Sequence, residues 1–378
     1  MLRWEITTPA LAEVRVSEAN GPEKLVCAGA GGSVQIDWLH PRTTYLFRLY
    51  CRESNRPASA YPLLDELRVR WGDDMPSRQI ATFVAGLVAR CLYDKEFPTW
   101  FRLWEEYGFH VTPVHYYSPI PDSRHLNPEI WDRSREVAGL DLNPTMQLHL
   151  LQEVFPRFRS EYERIPLDSP VPGDDFYLHN GRFEYTDPLI AYCMVRHFQP
   201  HRIVEVGGGY STLLLGQAAK INGNTKLITI EPYPEDLLLN YAPNLIRKKV
   251  EDVDLSFFEC LESGDLLFID SSHVVKIGGD VNFLFLEVLP RLKPGVLVHI
   301  HDIFFPFEYP QKWVISLRRF WTEQYLLRAF LSFNVEFEVL VSTGYLHAYH
   351  LAELEEIFPL AKPWRGGSFW MRRKQPHS

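Results

Sequence analysis

Apolar and polar positions follow different rhythms along this chain. In the first fifty residues the alternation is every second position. The runs Ala12–Ser17, Ser33–Trp38 and Thr44–Tyr50 each place apolar side chains on one face and polar ones on the other, the period of a half-buried strand. Asn20, Gly21 and Pro22, then Gly29, Gly31 and Gly32, then Pro41 separate these runs as turns. Short strands at this spacing predict a small β-sandwich over residues 1–56. From about Tyr61 to Leu178 the rhythm becomes helical and is broken by prolines. Apolar side chains recur every three or four residues in Gln79–Tyr93, Phe97–Tyr107 and Thr145–Phe158. Residues 57–178 are therefore expected to form a helical connecting region.

The remainder, 179–378, alternates strand and helix patterns. Arg202–Gly207, Lys226–Glu231, Asp265–Asp270 and Gly295–His301 are short apolar runs rich in β-branched residues, as in strands buried on both faces of a parallel sheet. Helical patterns follow at Ser211–Ala219 and Asp280–Leu289. Alternation of this kind predicts an α/β fold: a doubly wound, mostly parallel, Rossmann-like sheet with right-handed crossovers.

Composition narrows the function. At 378 residues the chain exceeds one ordinary core, and 46% hydrophobic with 23% charged residues is globular rather than disordered. A formal charge of -9 without a long basic run argues against a nucleic-acid footprint. The five cysteines lie far apart in the sequence, which is neither a disulfide framework nor a zinc pattern and fits a reducing cytoplasm. The N-terminus lacks the apolar stretch of a signal peptide, and no run approaches the ~20 apolar residues of a membrane span. A cytoplasmic enzyme or binding protein is the expectation, with self-association left open.

The strand ends carry the chemistry. The first ends in Glu205, followed by Gly207, Gly208 and Gly209. Glycines there let the backbone turn tightly and approach a ligand, at the edge where open α/β sheets bind ligands. The second strand ends in Glu231, an acidic position suited to ribose hydroxyls. The third ends in Asp270, with His273 three residues on, and the fourth in His301 and Asp302. Four metal- or proton-active side chains thus leave neighbouring strands on one edge.

This order resembles class I S-adenosylmethionine-dependent methyltransferases. The resemblance rests on Glu205-x-Gly207-x-Gly209, Glu231, Phe268-Ile269-Asp270-x-x-His273, the Leu292–Val298 lead-in and His301-Asp302-Ile303, and covers about half the chain. The nearest subgroup is the metal-dependent O-methyltransferases acting on sugars and natural products. It implies S-adenosylmethionine held by Glu205, Gly207, Gly209, Ser211, Glu231, Asp252 and Asp270, with Glu251 competing for the adenine-facing place of Asp252. It implies a divalent metal on Asp270, His301 and Asp302, with His273 as base and Asp270 and Asp302 completing the catalytic set. An imidazole at position 301, where the subgroup has a carboxylate, favours Mn²⁺, Fe²⁺ or Zn²⁺ over Mg²⁺. The acceptor is then a small-molecule or glycan hydroxyl. The segment Trp38–Tyr50 resembles the strand–turn–strand corner of fibronectin type III-like modules. The proline-broken segment His110–Tyr117 is expected to cover the acceptor as a lid. Two other classes compete on the same residues: a non-haem metal oxygenase, and a non-catalytic glycan-binding scaffold.

Overall fold

A computed structural model of the chain describes residues 3–5, 12–18, 24–28, 33–35, 44–51, 63–70, 85–86, 88–89, 97–106, 108–132, 136–168, 176–359 and 366–375. Two compact units result, Met1–Ile120 and Pro121–Ser378.

In the first unit, strands β1 (Arg3–Glu5) and β4 (Ser33–Gln35) form an antiparallel pair. Strands β2 (Ala12–Glu18), β3 (Lys24–Ala28), β5 (Thr44–Cys51) and β6 (Leu63–Arg70) form a four-stranded sheet in the order β3-β2-β5-β6, antiparallel throughout. Val16 and Leu46 on its central strands are buried. Strand β6 corrects the sequence reading, which has helical rhythm from Tyr61. The run Leu63–Arg70 has two adjacent leucines and then two adjacent charges, Asp65 and Glu66, before its Leu67-x-Val69 alternation begins. Pairing with β5 through the register Thr44↔Arg70 decides its state, as tertiary context does for weakly patterned segments. Phe97–Glu106 is a helix with Trp104 buried. The helix expected over Gln79–Tyr93 falls mostly outside the described residues. The segment His110–Tyr117 belongs to this unit, with Tyr116 and Tyr117 exposed.

The second unit is built on a seven-stranded sheet. Its strands are β7 (Arg202–Val206), β8 (Lys226–Ile230), β9 (Leu245–Ile246), β10 (Leu266–Ile269), β11 (Leu297–Ile300), β12 (Phe337–Ser342) and β13 (Phe369–Arg373). The order is β12-β13-β11-β10-β7-β8-β9. The five strands from β7 to β11 are parallel, and β13 enters antiparallel to both β11 and β12. Neither β12 nor β13 is visible as part of the sheet from the alternation of the earlier strands.

Neighbouring residues on one strand enter opposite cores. On β10, Leu266 and Phe268 join one buried cluster while Leu267 and Ile269 join the other. The first cluster is closed by the helices Thr186–Phe198 and Tyr210–Asn222 and by the irregular helical run from Pro144 to Tyr162. Leu150, Leu151, Val154 and Phe155 of that run share a core with Ile190 and Leu214, so part of the expected connecting region is integral to this unit. The second cluster is closed by the helices around Val281–Leu289 and Glu323–Leu331. The chain winds outward from β7 through β8 to β9 on one side and through β10 to β11 on the other. The reversal falls between β7 and β10, the crevice where doubly wound sheets bind ligands. No helix among the described residues is long and apolar enough to cross a membrane.

Leu267 is wholly buried between these layers. Leu267→Ala should lower stability by about 2–5 kcal/mol, the usual range for such a truncation. Urea unfolding of the two proteins checks it.

Candidate functional site

The parallel strands end flush. Val206 is in register with Ile230 and with Ile269, and Ile269 with Ile300. The next residue on each strand is Gly207, Glu231, Asp270 and His301, so the chemistry-bearing positions form one row along the sheet edge. The ladder continues one step into that row: Asp270 N–H donates to the Val206 carbonyl at 2.8 Å and His301 N–H to that of Ile269 at 2.8 Å.

The glycine turn separates into distinct tasks. Gly207 has φ +81°, and a Cβ there would stand 1.7 Å from the carbonyl oxygen of Asp270. Its glycine is required by the close approach of two strand ends. At Gly208 a Cβ would press on Thr229 and Leu238. At Gly209 a Cβ would meet no described atom within 4 Å, which leaves open space over the start of the helix Tyr210–Asn222.

Glu205 lies beneath this turn with no exposed surface. Ser211 Oγ donates to its Oε1 at 2.7 Å, and Thr212 Oγ1 and Thr229 Oγ1 donate to its Oε2 at 2.7 and 2.8 Å. Thr212 Oγ1 in turn accepts from Gly209 N–H at 3.1 Å. The carboxyl group ties the turn, the helix start and β8 together. Burial raises its pKa to about 7 against the pull of the three hydroxyls. Glu205 and Ser211 are thus engaged with each other in this structure. Glu231 is partly exposed; its Oε1 accepts from Tyr233 N–H at 2.7 Å. Asp252 ends a one-turn 3₁₀ helix after β9 and is exposed, while Glu251 beside it is half-buried.

Asp270, His273 and Asp302 converge, each offering a ligand atom within 4.8 Å of the others. His273 Nε2 lies 3.3 Å from Asp270 Oδ1 and 3.6 Å from Asp302 Oδ2. His301 is not in this trio; its Nε2 is 3.6 Å from Asp302 Oδ1, and its buried Nδ1 has no partner among the described residues. The sequence expectation has His301 among the ligands and His273 as base, whereas the side chains that group most tightly are Asp270, His273 and Asp302. The reason is the strand pleat. His299 and His301 sit two residues apart and face the same way, with rings 5.8 Å apart, and His301 packs edge-on against Phe183 at 5.2 Å. His273 instead stands on a turn at φ +60°, and Asp302 at φ +57°. Non-glycine residues in that region cost roughly 1–3 kcal/mol each and cluster at functional sites.

The far nitrogen of His273 finds a residue that strand-end reasoning does not reach. Nδ1 donates to Oε2 of Glu323 at 2.9 Å, and Glu323 is fully buried at the start of its helix. Thr322 and Glu323 N–H both donate to the His273 carbonyl, at 2.9 and 3.1 Å. Trp321 packs on the imidazole with ring centroids 4.3 Å apart. Nothing in the sequence marks this pairing beyond a Thr-Glu helix start fifty residues downstream. Asp187 is a second such residue: its carboxylate accepts from Gly367 and Ser368 N–H at 2.8 and 3.1 Å and fixes the backbone that packs on Asp302.

The electrostatics follow from charge crowding in a dry site. Burial works against the charged form of His273, yet its hydrogen bonds to Asp270 and Glu323 raise its pKa well above the usual value. Burial likewise opposes charge on His301, and Asp302 and Asp270 raise it. Burial would raise Asp270, but His301 and His273 hold it down, whereas burial prevails at Asp302 and raises it. The crowded carboxylates thus favour the protonated form of both imidazoles, and the imidazoles favour the ionised form of Asp270. Any cation entering the trio competes with the proton on His273 Nε2.

With this geometry in view, a family match gives the class of the domain. Residues 204–303 match the family described as a methyltransferase domain. An uncharacterized protein of Archaeoglobus fulgidus is 36% identical over 174 residues, spanning 42% of this chain and 76% of that protein. The chain belongs to the same family as that archaeal protein, and it carries a methyltransferase domain. Similarity extends to an O-methyltransferase from Bacillus cereus in complex with SAH, at 16% identity over 60% of this chain and 90% of that one, TM-score 0.32. It extends also to coclaurine N-methyltransferase bound to N-methylheliamine and SAH, at 10% identity over 58% of this chain and 74% of that one, TM-score 0.25. S-adenosylmethionine is the cofactor expected of a methyltransferase domain.

Glu205 gives a pH signature with a defined sign. Its ordinary value is 4.5 and its folded value about 7. The contribution is fully present below pH 4.5 and is lost as pH rises through 7, because the folded state keeps a proton that the unfolded state has released. The loss amounts to about 3 kcal/mol. Urea unfolding at pH 4.5 and pH 8 should show wild type losing that much stability relative to Glu205→Gln. An unchanged difference between the two proteins would contradict the assignment.

Proposed function

We propose that the second unit transfers a methyl group from S-adenosylmethionine to a hydroxyl of a small molecule or sugar, with a divalent metal at Asp270, His273 and Asp302. The observation that carries the reading is the row of strand ends, which sets an open glycine turn and an acidic ribose-type position beside a strained carboxylate–imidazole trio. Gly209 supplies space for the cofactor, Glu231 the carboxylate for its ribose hydroxyls, and Asp252 or Glu251 an adenine-facing group. Gly207, Glu205 and Ser211 act by holding the turn. The cofactor, when bound, supplies an activated methyl on a sulfonium centre. The protein's share is positioning and removal of the acceptor's proton.

The donor set of the trio fits a divalent ion: two carboxylates and one imidazole, with an unpartnered buried Oε1 on Glu323 close behind. One imidazole and two oxygens suit Mn²⁺, Fe²⁺ or Zn²⁺ and also admit Mg²⁺. Such an ion lowers the pKa of a coordinated hydroxyl. Glu323 holds His273 in one orientation through Nδ1, as second carboxylates do for ligating histidines. Without an ion, His273 Nε2 accepts the acceptor's proton, after first yielding the one its three carboxylate neighbours favour. The trio reverses the two-imidazole, one-carboxylate set of non-haem iron oxygenases, and no observation favours that second reading. The antiparallel sheet and the Trp38–Tyr50 resemblance support reading the first unit as a small β-module of fibronectin type III-like kind.

Titration calorimetry of the full chain with S-adenosylmethionine and with S-adenosylhomocysteine tests the cofactor. Binding is expected, and Glu231→Ala should weaken it by about 1–3 kcal/mol, the cost of losing a charged hydrogen-bond partner. No binding to the wild-type chain would sink the proposal. For the metal, EDTA should abolish methyl transfer and Mn²⁺ restore it, while calorimetry with Mn²⁺ alone gives a site lost in Asp302→Ala. That variant should keep its cofactor affinity, since its loss falls on the transition state. Chelator-insensitive turnover would remove the metal and leave His273 alone.

A further inference from the structure

Beside the trio stands a cation that the methyl-transfer reading does not use. Arg319 is exposed, yet its guanidinium carbon lies 5.1 Å from the ring centroid of Trp313 and 5.1 Å from that of Trp321. The two indoles meet at 74° with centroids 5.1 Å apart, so the guanidinium occupies the wedge between them. Trp321 is the same ring that packs on His273 at 4.3 Å.

The wedge is anchored at both ends. After the short helix Gln311–Ile315, Ser316 and Leu317 N–H return to the Lys312 carbonyl at 2.9 and 3.0 Å, and Arg319 N–H donates to the Trp313 carbonyl at 2.9 Å. Beyond Trp321 the chain is tied to the His273 turn by the Thr322 and Glu323 amides, and Val275 N–H donates to Thr322 Oγ1 at 2.7 Å. Arg318 is spent differently, donating to Ser123 Oγ at 2.6 Å. Arg319 has no side-chain hydrogen bond or ion pair among the described residues.

A guanidinium held over two indole rings, without a hydrogen-bond partner among the described residues, keeps its N–H edge free for a ligand. That edge is the fork that binds carboxylate, sulfate or phosphate through two parallel hydrogen bonds. The ring contacts fix the side chain in advance, so little conformational freedom is lost when an anion arrives. The chain carries a net charge of -9, and Arg319 is a permanent cation that no carboxylate among the described residues pairs with, so its charge is available to an incoming anion. We propose that Arg319, held between Trp313 and Trp321, binds an oxyanion carried by the methyl acceptor, so that the acceptor is an anionic hydroxy compound rather than a neutral one. The inference rests on the methyl-transfer reading for the word acceptor, and on the wedge alone for the anion.

The test uses the full chain and four probes, benzoate, phenyl phosphate, phenyl sulfate and neutral benzamide, followed by tryptophan fluorescence and calorimetry. At least one anion should bind about tenfold tighter than benzamide, a modest value for a charge-assisted bidentate pair. Arg319→Gln should erase that advantage, and Arg319→Lys should recover only part of it because the planar fork is lost. Anions that bind no better than benzamide would overturn the proposal, as would an advantage that survives in Arg319→Gln. S-adenosylmethionine binding measured on the same samples separates the two ideas. Its absence from wild type defeats the methyl-transfer reading, whereas normal cofactor binding without anion preference defeats this one alone.

Discussion

The carbonyl oxygen of Asp270 lies where a side chain at position 207 would begin, 1.7 Å from an ideal Cβ. Strands β7 and β10 can run flush to their ends only because residue 207 has none. That contact joins the two halves of the site. On one side the glycine turn opens toward the helix Tyr210–Asn222, and on the other Asp270 leads into the His273 turn. The parallel register then carries the same level across to Glu231 and His301. Any side chain at 207 would push one strand back and misalign every group that depends on that level.

Around this frame the protein accumulates charge where water is scarce. Glu205, Glu323, His299 and His301 are buried, as is His273, and isolated ions in such places are costly. Each charge is answered by a partner. Three hydroxyls surround Glu205, Glu323 takes one nitrogen of His273, and Asp270 and Asp302 face the other. His299 takes another route: it is stacked on Phe268 at 3.9 Å and burial lowers its pKa, so it remains neutral. The left-handed backbone at His273 and Asp302 is the local strain needed to aim two side chains from different strands at one point.

Much of this was legible in the residue pattern because the information is local. A doubly wound sheet announces itself through short apolar runs alternating with helical ones. Its ligand edge is marked by whichever polar residues directly follow each run, here Glu231, Asp270, His301 and Asp302. Glycines 207 to 209 following a strand are equally local. The position of Gly209 over open space and the nearness of Asp270 to Asp302 follow from neighbouring strands ending at the same level.

What tertiary structure alone decided is everything that depends on side-chain direction or on elements far apart in sequence. The pleat turned His301 toward Phe183, and a left-handed turn brought His273 into the trio in its place. Glu323, Trp321 and Asp187 reach the site through helix and loop packing, at sequence distances where no periodicity links them to it. Strand β6 was set by its partner β5, since its own alternation is interrupted by adjacent leucines and charges. Strand β13 entered the sheet antiparallel between β11 and β12, a placement that hydrogen bonding to two neighbours fixes and that a single strand's pattern does not encode. Sequence by itself determined which residue types sit at the strand ends. Packing determined which of them face one another, because a residue's neighbours along the chain constrain its backbone but not the direction from which a distant element arrives.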